Sequence, residues 1–171
     1  MHTRSATTED AAALARIYND GIADRIATFE TRLRTEADVR AWFDGVHPII
    51  VVEDGGQVIA FGSTSTYRPR ACYNGIAECS VYVAREARGR GAGKLVLAKL
   101  IEATEAAGFW KLVSRIFPEN QNSLKLVRAM GFREVGIYEK HGQLDGVWRD
   151  VVIVERLLLK ATDILPPSHT K

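Results

Sequence analysis

The stretch "REARGRGAGKLVL", residues 85–97, places three glycines and three arginines in front of an apolar, helix-favouring run. The segment before it, "IAECSVYV" (76–83), alternates in the manner of a strand, with Ile76, Glu78, Ser80 and Tyr82 on one face and Ala77, Cys79, Val81 and Val83 on the other. A strand therefore runs through a glycine-rich turn into a helix. The first N–H groups of a helix lack internal partners, and the helix dipole makes that end positive. Such an end holds phosphates, and glycines let a ligand approach the backbone closely. Arg85, Arg88, Arg90 and Lys94 add cationic side chains. The P-loop spacing G-x-x-x-x-G-K-[ST] is not met, and Gly89, Gly91 and Gly93 are too evenly spaced for the dinucleotide fingerprint. By spacing alone, a flexible turn on a solvated basic surface competes with a phosphate cradle.

The rest of the chain supplies the frame. Thr3 to Ala6 reads as a short strand. Thr7 or Thr8 offers an N-cap before acidic Glu9 and Asp10, and Leu14, Ile17 and Tyr18 stripe a helix over about 9–20. Thr35 caps a second helix carrying Val39, Trp42 and Phe43, which His47-Pro48 is expected to end. "IIVVE" and "QVIAFGSTSTY" flank a turn with an Asp-Gly pair and read as an antiparallel hairpin. Downstream come a helix over about 91–107 closed by Gly108, the strand "KLVSRIF", and a helix ending at Gly131. Two strands then follow, "REVGIYEK" and "VWRDVVIVERLLL", joined by "HGQLDG". The expectation is a single α/β (α+β) domain over 1–160, a mixed, mostly antiparallel sheet flanked by helices, with a disordered tail over 161–171.

Composition narrows the function classes. The chain has 171 residues, 46% hydrophobic and 26% charged, with a formal net charge of +2. That near-neutral balance argues against a nucleic-acid binder or a partner of anionic membranes. No apolar run approaches the roughly 20 residues a membrane helix needs, and the N-terminus lacks a signal peptide's apolar core. Cys72 and Cys79 make no disulfide framework, so a cytoplasmic protein with reduced thiols is expected. His2, His47, His141 and His169 show no ligand spacing, so no metal is expected.

The run Arg88-Gly89-Arg90-Gly91-Ala92-Gly93, behind "SVYVAREA" and ahead of an amphipathic helix and "N-x-x-S…GF", resembles the R/Q-x-x-G-x-G/A signature of the GCN5-related N-acetyltransferase superfamily. The motifs cover about residues 75–135, and the element order fits nearly the whole chain. The resemblance implies the acetyltransferase fold and acetyl-coenzyme A as cosubstrate. It assigns the pyrophosphate to Arg88, Gly89, Arg90, Gly91, Ala92, Gly93 and Lys94, further cofactor contact to Asn120 and Ser123, and the pantetheine arm to Val81, Tyr82 and Val83. "TFET" (28–31), "YRPRACY" (67–73), "ECSVYV" (78–83) and "YEKHG…GVWRDVV" (138–152) further resemble the phosphinothricin N-acetyltransferase group. That group acetylates the α-amino group of glutamate analogues such as phosphinothricin, methionine sulfoximine and arsinothricin. The longer "GQLDGVWRDVV" is similar to the arsinothricin branch.

An attacking amine must lose a proton, and a carboxylate can accept it. Glu78 matches the family's catalytic glutamate; the residue-level alternative is a strand carboxylate paired with a lysine or arginine. Arginines recognise planar oxyanions. Arg70 and Tyr73 match the family's substrate positions, with Arg68 nearby and Phe29 as a substrate-side wall. The alternative for these is a core aromatic and solvated loop charges. Trp148 and Arg149 fall where relatives place binding or interface residues. Val127 occupies the position of a tyrosine that many relatives use near the leaving thiolate, and Tyr138 is a candidate substitute. The resemblance also implies a homodimer. Other readings are an acetyltransferase for a polyamine, a protein N-terminus or an ordinary amino acid, and a non-catalytic coenzyme A-binding module. Arg68 and Arg70 disfavour a polycation, and Glu78 disfavours binding without catalysis.

Overall fold

The computed structural model describes residues 1–158. The expected boundary at 160 and the tail over 161–171 lie outside the described residues. The elements are β1 (His2–Ser5), α1 (Ala11–Asp24), α2 (Glu36–Arg40), β2 (Ile49–Asp54), β3 (Gln57–Thr66), β4 (Ile76–Val83), α3 (Ala92–Ala106), β5 (Lys111–Ile116), α4 (Gln121–Ala129), β6 (Arg133–Leu144) and β7 (Val147–Leu157). One sheet runs β1-β2-β3-β4-β5-β7-β6. Its neighbours are antiparallel except β4 and β5, which run parallel. Parallel neighbours need a crossover, and α3 supplies it.

The two faces of the sheet are covered by different helices. On the rear, α3 buries Val96, Leu97 and Leu100. It comes so close to β3 that a Cβ on Gly62 would sit 3.1 Å from Leu100 Cδ2. On the front, Phe61 of β3 stacks on Tyr82 of β4, which meets Tyr18 of α1 edge-on at 4.8 Å. A second, smaller apolar cluster of Val113, Phe117, Leu144, Val151 and Ile153 fills the front under β5 and β7, with Phe29 and Ile76 packed against it.

Local signals explain most boundaries. The Thr35 hydroxyl accepts from Asp38 N at 3.1 Å while Asp38 accepts from Thr35 N at 2.7 Å, a capping box. Arg4 donates to both Asp10 carboxylate oxygens at 2.8 Å, and Thr7 N donates to the same group, tying β1 to the start of α1. Asn120 caps α4 by accepting from Ser123 N. Gly108 at φ 89° follows the end of α3.

Four expectations shift. α1 extends to Asp24, past the apolar stripe that ended it at about 20. α2 stops at Arg40, well short of His47-Pro48, because Trp42 and Phe43 turn inward to pack against the core. Asp54 is the last residue of β2, so the hairpin turn is Gly55-Gly56, both at positive φ (57° and 79°). Likewise β6 continues through most of "HGQLDG", with an irregularity between Tyr138 and Gly142, and the reversal is Asp145-Gly146.

Candidate active site

β4 and β5 pair only from Ile76 to Glu78 against Lys111 to Val113. Beyond Glu78 the two strands part, while β4 stays paired with β3 up to Val83. The edge of β4 from Cys79 onward therefore faces a cleft instead of a strand. The rear side of this split, about 50 Å³, is lined by residues that include Val81, Leu97, Ser114, Asn120, Ser123 and Val127. The front side opens into a larger cleft of about 500 Å³ beneath the α1–α2 connection, where Tyr18, Glu30, Arg34, Trp42 and Ser63 contribute. Ser80 and Tyr82 line both, so the two clefts meet at the second half of β4.

The glycine-rich turn lies beyond the end of β4. Gly89 and Gly91 have φ of 75° and 88°, a left-handed conformation that favours glycine, and nothing lies within 4 Å of a Cβ built on either. Gly93 packs under Leu126 and Val83. α3 begins at Ala92, so its N-terminus faces this open backbone. The arginines of the turn are held by carboxylates from elsewhere: Arg85 and Arg88 each reach Asp24 at 2.7 Å, and Arg90 reaches Asp54 at 2.7 Å. Partial burial opposes ionisation of Asp24, but its bonds from Arg85 and Arg88 outweigh it and hold the carboxyl below the usual range. The cationic loop is thus pre-shaped by α1 and the β2–β3 turn.

Glu78 stands at the last paired rung before the split, on the front face with Ser80 and Tyr82. Its carboxylate accepts from Arg115 of β5, through Nε at 2.9 Å and Nη2 at 2.6 and 2.7 Å, the ion pair that the non-catalytic reading of this strand carboxylate expects. The parallel register sets Val113 opposite Glu78, so Arg115, two residues on, shares its face. Cys79, on the opposite face, is inert: burial, then the Glu78 charge, push its thiol up to about 12. Burial also pushes the Tyr82 phenol well above its usual range. The ring of Tyr82 is a fixed wall, because α1 carries a glycine against it, Gly21, whose Cβ would stand 2.8 Å from two ring carbons.

Val81, Tyr82, Asn120 and Ser123 line the split, Glu78 stands at its last paired rung, and Val83 and the 88–94 turn lie where β4 ends; Glu78, Val83 and the turn line neither cleft. The structure sets the acceptor-side candidates elsewhere. Phe29 packs edge-on to Phe117 at 4.8 Å and against Gly142, in the smaller core. Arg68 and Arg70 are exposed, Arg68 over the ring of Tyr67, and Tyr73 meets the same ring edge-on. None of these four lines either cleft. Val127 lines the rear cleft, while Tyr138 lies exposed on β6. Arg149 lies over Phe117 and reaches Glu119. Sequence reading missed Arg115 and Arg34. A charge inside the apolar strand "KLVSRIF" is a visible sign of the former; nothing in "TRLRT" separates Arg34 from Arg32, which pairs with Asp38 on the surface. Among the described residues, no cluster of three or more His, Cys, Asp or Glu side chains could hold a metal. No helix there is long and apolar enough to cross a membrane.

A sheet split after one strand, with a glycine-rich turn and a helix N-terminus beyond it, suits a phosphate-bearing ligand, and the matching family makes the protein an acyltransferase. The chain belongs to the acetyltransferase (GNAT) family, whose profile matches residues 14–132. It is 33% identical over 157 residues to an L-methionine sulfoximine/L-methionine sulfone acetyltransferase of Pseudomonas paraeruginosa (strain DSM 24068 / PA7), covering 89% of this chain and 91% of the relative. It is 32% identical to a phosphinothricin N-acetyltransferase of Streptomyces coelicolor (strain ATCC BAA-471 / A3(2) / M145), covering 92% of this chain and 96% of that one. The solved structure of a phosphinothricin acetyltransferase from Sinorhizobium meliloti, in complex with acetyl-coenzyme A, superposes with a TM-score of 0.88 at 30% identity, covering 98% of this chain and 93% of that one.

Proposed function

We propose that the protein transfers acetyl from acetyl-coenzyme A to the α-amino group of a glutamate-analogue amino acid such as phosphinothricin, methionine sulfoximine or arsinothricin. The supporting observation is the meeting of two clefts at Ser80 and Tyr82, one between the parting strands β4 and β5 against α4 and one beneath the α1–α2 connection. The turn from Arg88 to Lys94 receives the pyrophosphate, the free edge of β4 at Val81–Val83 runs beside the pantetheine arm, and Asn120 and Ser123 flank the thioester end. The amine nitrogen attacks the thioester carbonyl carbon, the C–N bond forms, the C–S bond breaks, and the thiolate leaves. Glu78 accepts the proton released from the amine, directly or through a water. A thiol's pKa near 8.5 makes the thiolate a fair leaving group without the tyrosine that Val127 replaces.

Phe29, Arg68, Arg70 and Tyr73 are assigned to the acceptor by family resemblance alone. Acetylation of these analogues would detoxify them, which makes antibiotic resistance the role proposed. The free thiols Cys72 and Cys79 suit the cytoplasm. Val135, Ile137, Tyr138, Val147 and Trp148 are about half exposed or more on β6 and β7, apolar surface at this end of the sheet suited to a second copy of the chain. The test is release of coenzyme A by the purified protein with arsinothricin, phosphinothricin, methionine sulfoximine, glutamate or spermidine. Turnover confined to the glutamate analogues supports the reading; turnover with spermidine alone overturns the acceptor.

A further inference from the structure

Arg34 is the one cationic side chain lining the front cleft among the described residues. It sits on the irregular connection between α1 and α2, yet its backbone is fixed. The Asn19 side chain of α1 accepts from Arg34 N at 2.8 Å and donates to Arg34 O at 3.0 Å. The Arg34 side chain is only 18% exposed and pairs through Nη2 with Glu30 at 2.5 Å, whose own side chain is 44% exposed. A guanidinium has five donors in a rigid fork, and this ion pair engages Nη2. Beside Arg34 and Glu30 the wall holds aromatic and hydroxylic groups, Tyr18, Trp42, Ser63 and Ser80 among them, and a second carboxylate, Asp44. Asp44, also in the lining, is already occupied. Burial opposes its ionisation, but bonds from His47 and Val46 hold its pKa at about 2. By contrast, Glu30 lies on the solvent side of its pair with Arg34, where water can take over its solvation if a competing oxyanion displaces it.

We propose that Arg34 is a specificity-determining residue, holding an oxyanion of the acceptor, carboxylate or phosphinate, in the front cleft by displacing Glu30. The inference rests on the acetyltransferase reading above and names a contact within the acceptor site. A guanidinium on a clamped backbone, among aromatic and hydroxylic groups, favours a planar or tetrahedral oxyanion over a neutral group.

The experiment compares wild type with Arg34→Gln and Arg34→Lys, using phosphinothricin and methionine sulfone as acceptors and reading coenzyme A release. Phosphinothricin carries an α-carboxylate and a side-chain phosphinate; methionine sulfone carries only the α-carboxylate. Arg34→Gln is expected to raise KM for phosphinothricin by about tenfold or more, the loss expected for a charge-assisted hydrogen bond. KM for acetyl-coenzyme A and the melting temperature should stay unchanged, and Arg34→Lys should recover part of the loss. An equal rise for methionine sulfone places the α-carboxylate on Arg34; a rise confined to phosphinothricin places the phosphinate there. Unchanged KM for both acceptors in Arg34→Gln, with wild type active, overturns the inference. Wild type inactive on both acceptors while turning over another amine overturns the acceptor reading instead, so the two failures are distinguishable.

Discussion

Arg115 holds the Glu78 carboxylate from two nitrogens, through contacts of 2.6 to 2.9 Å, at the rung where β4 and β5 separate. The pair joins the two strands just where their backbone pairing stops. Arg115 is half exposed and Glu78 is 22% exposed. If Glu78 is the base proposed above, Glu78→Gln is expected to lower kcat by about 100-fold or more, the scale of a lost general base, with KM for acetyl-coenzyme A unchanged; if the carboxylate serves only as the partner of Arg115, kcat stays near wild type. Arg115→Met should lower kcat by about tenfold through loss of positioning, and Arg115→Lys should fall between. Steady-state kinetics with saturating acetyl-coenzyme A decide it; wild-type kcat in Glu78→Gln removes that residue from the chemistry.

The glycines of the turn are not equivalent. Gly91 has φ 88°, so Gly91→Ala strains the backbone although nothing lies within 4 Å of the new methyl. A cost of about 1–2 kcal/mol is expected, with weaker binding of coenzyme A. Gly93 carries no such strain, and its Cβ would meet Leu126 at an ordinary 3.4 Å. Gly93→Ala should leave stability within about 0.5 kcal/mol of wild type. Paired thermal melts and coenzyme A titrations separate the two cases.

Gly21 lies inside α1, where alanine is favoured by about 1 kcal/mol. Its methyl, however, would stand 2.8 Å from two carbons of the Tyr82 ring, which Phe61 and Tyr18 hold in place. Gly21→Ala is expected to destabilise by about 1–3 kcal/mol and to raise the acceptor KM, because Tyr82 lines the front cleft. A melting temperature above wild type would show that the ring yields.

Thiol accessibility gives a simple check on the packing of β4. Cys72 is exposed, whereas Cys79 is buried with its thiol pushed up to about 12. A thiol reagent at neutral pH should label one cysteine in the native protein and two in denaturant, and Cys72→Ser should abolish the native reaction.

Acid stability should depend on the tie between β1 and α1. The Arg4 bond, against a smaller burial cost, lowers the Asp10 carboxyl below its ordinary value. A depressed folded-state pKa contributes stability that is fully present above the unfolded value, near 4. That contribution disappears as pH falls from there through the folded pKa. Asp10→Asn should cost about 2 kcal/mol at neutral pH and should flatten the melting temperature against pH below about 4. An identical slope in the variant would assign acid unfolding to other carboxylates.

Much of this protein is carried by short-range signals. Caps at Thr35 and Asn120, the glycine at 108, alternation in 76–83 and the glycine-rich turn mark the elements and the open backbone ahead of α3, since each acts within a few residues of itself. The boundaries that moved are those where distant packing overrides a local stop. Trp42 and Phe43 leave their helix to reach the core, and β6 runs on because β7 lies beside it.

By itself, the sequence determined the order of strands and helices, the turn whose backbone is free for an anion, and Glu78 on one face of β4. Tertiary structure alone decided what surrounds them. Glu78 and Arg115 are 37 residues apart in the chain and meet because β4 and β5 are parallel neighbours. Arg34 lines the front cleft, and Arg68 and Arg70 do not, because Asn19 fastens one loop to α1 while the other lies exposed. Propensity acts locally along the chain; a binding site is assembled by sheet order and helix crossovers, which no run of residues displays.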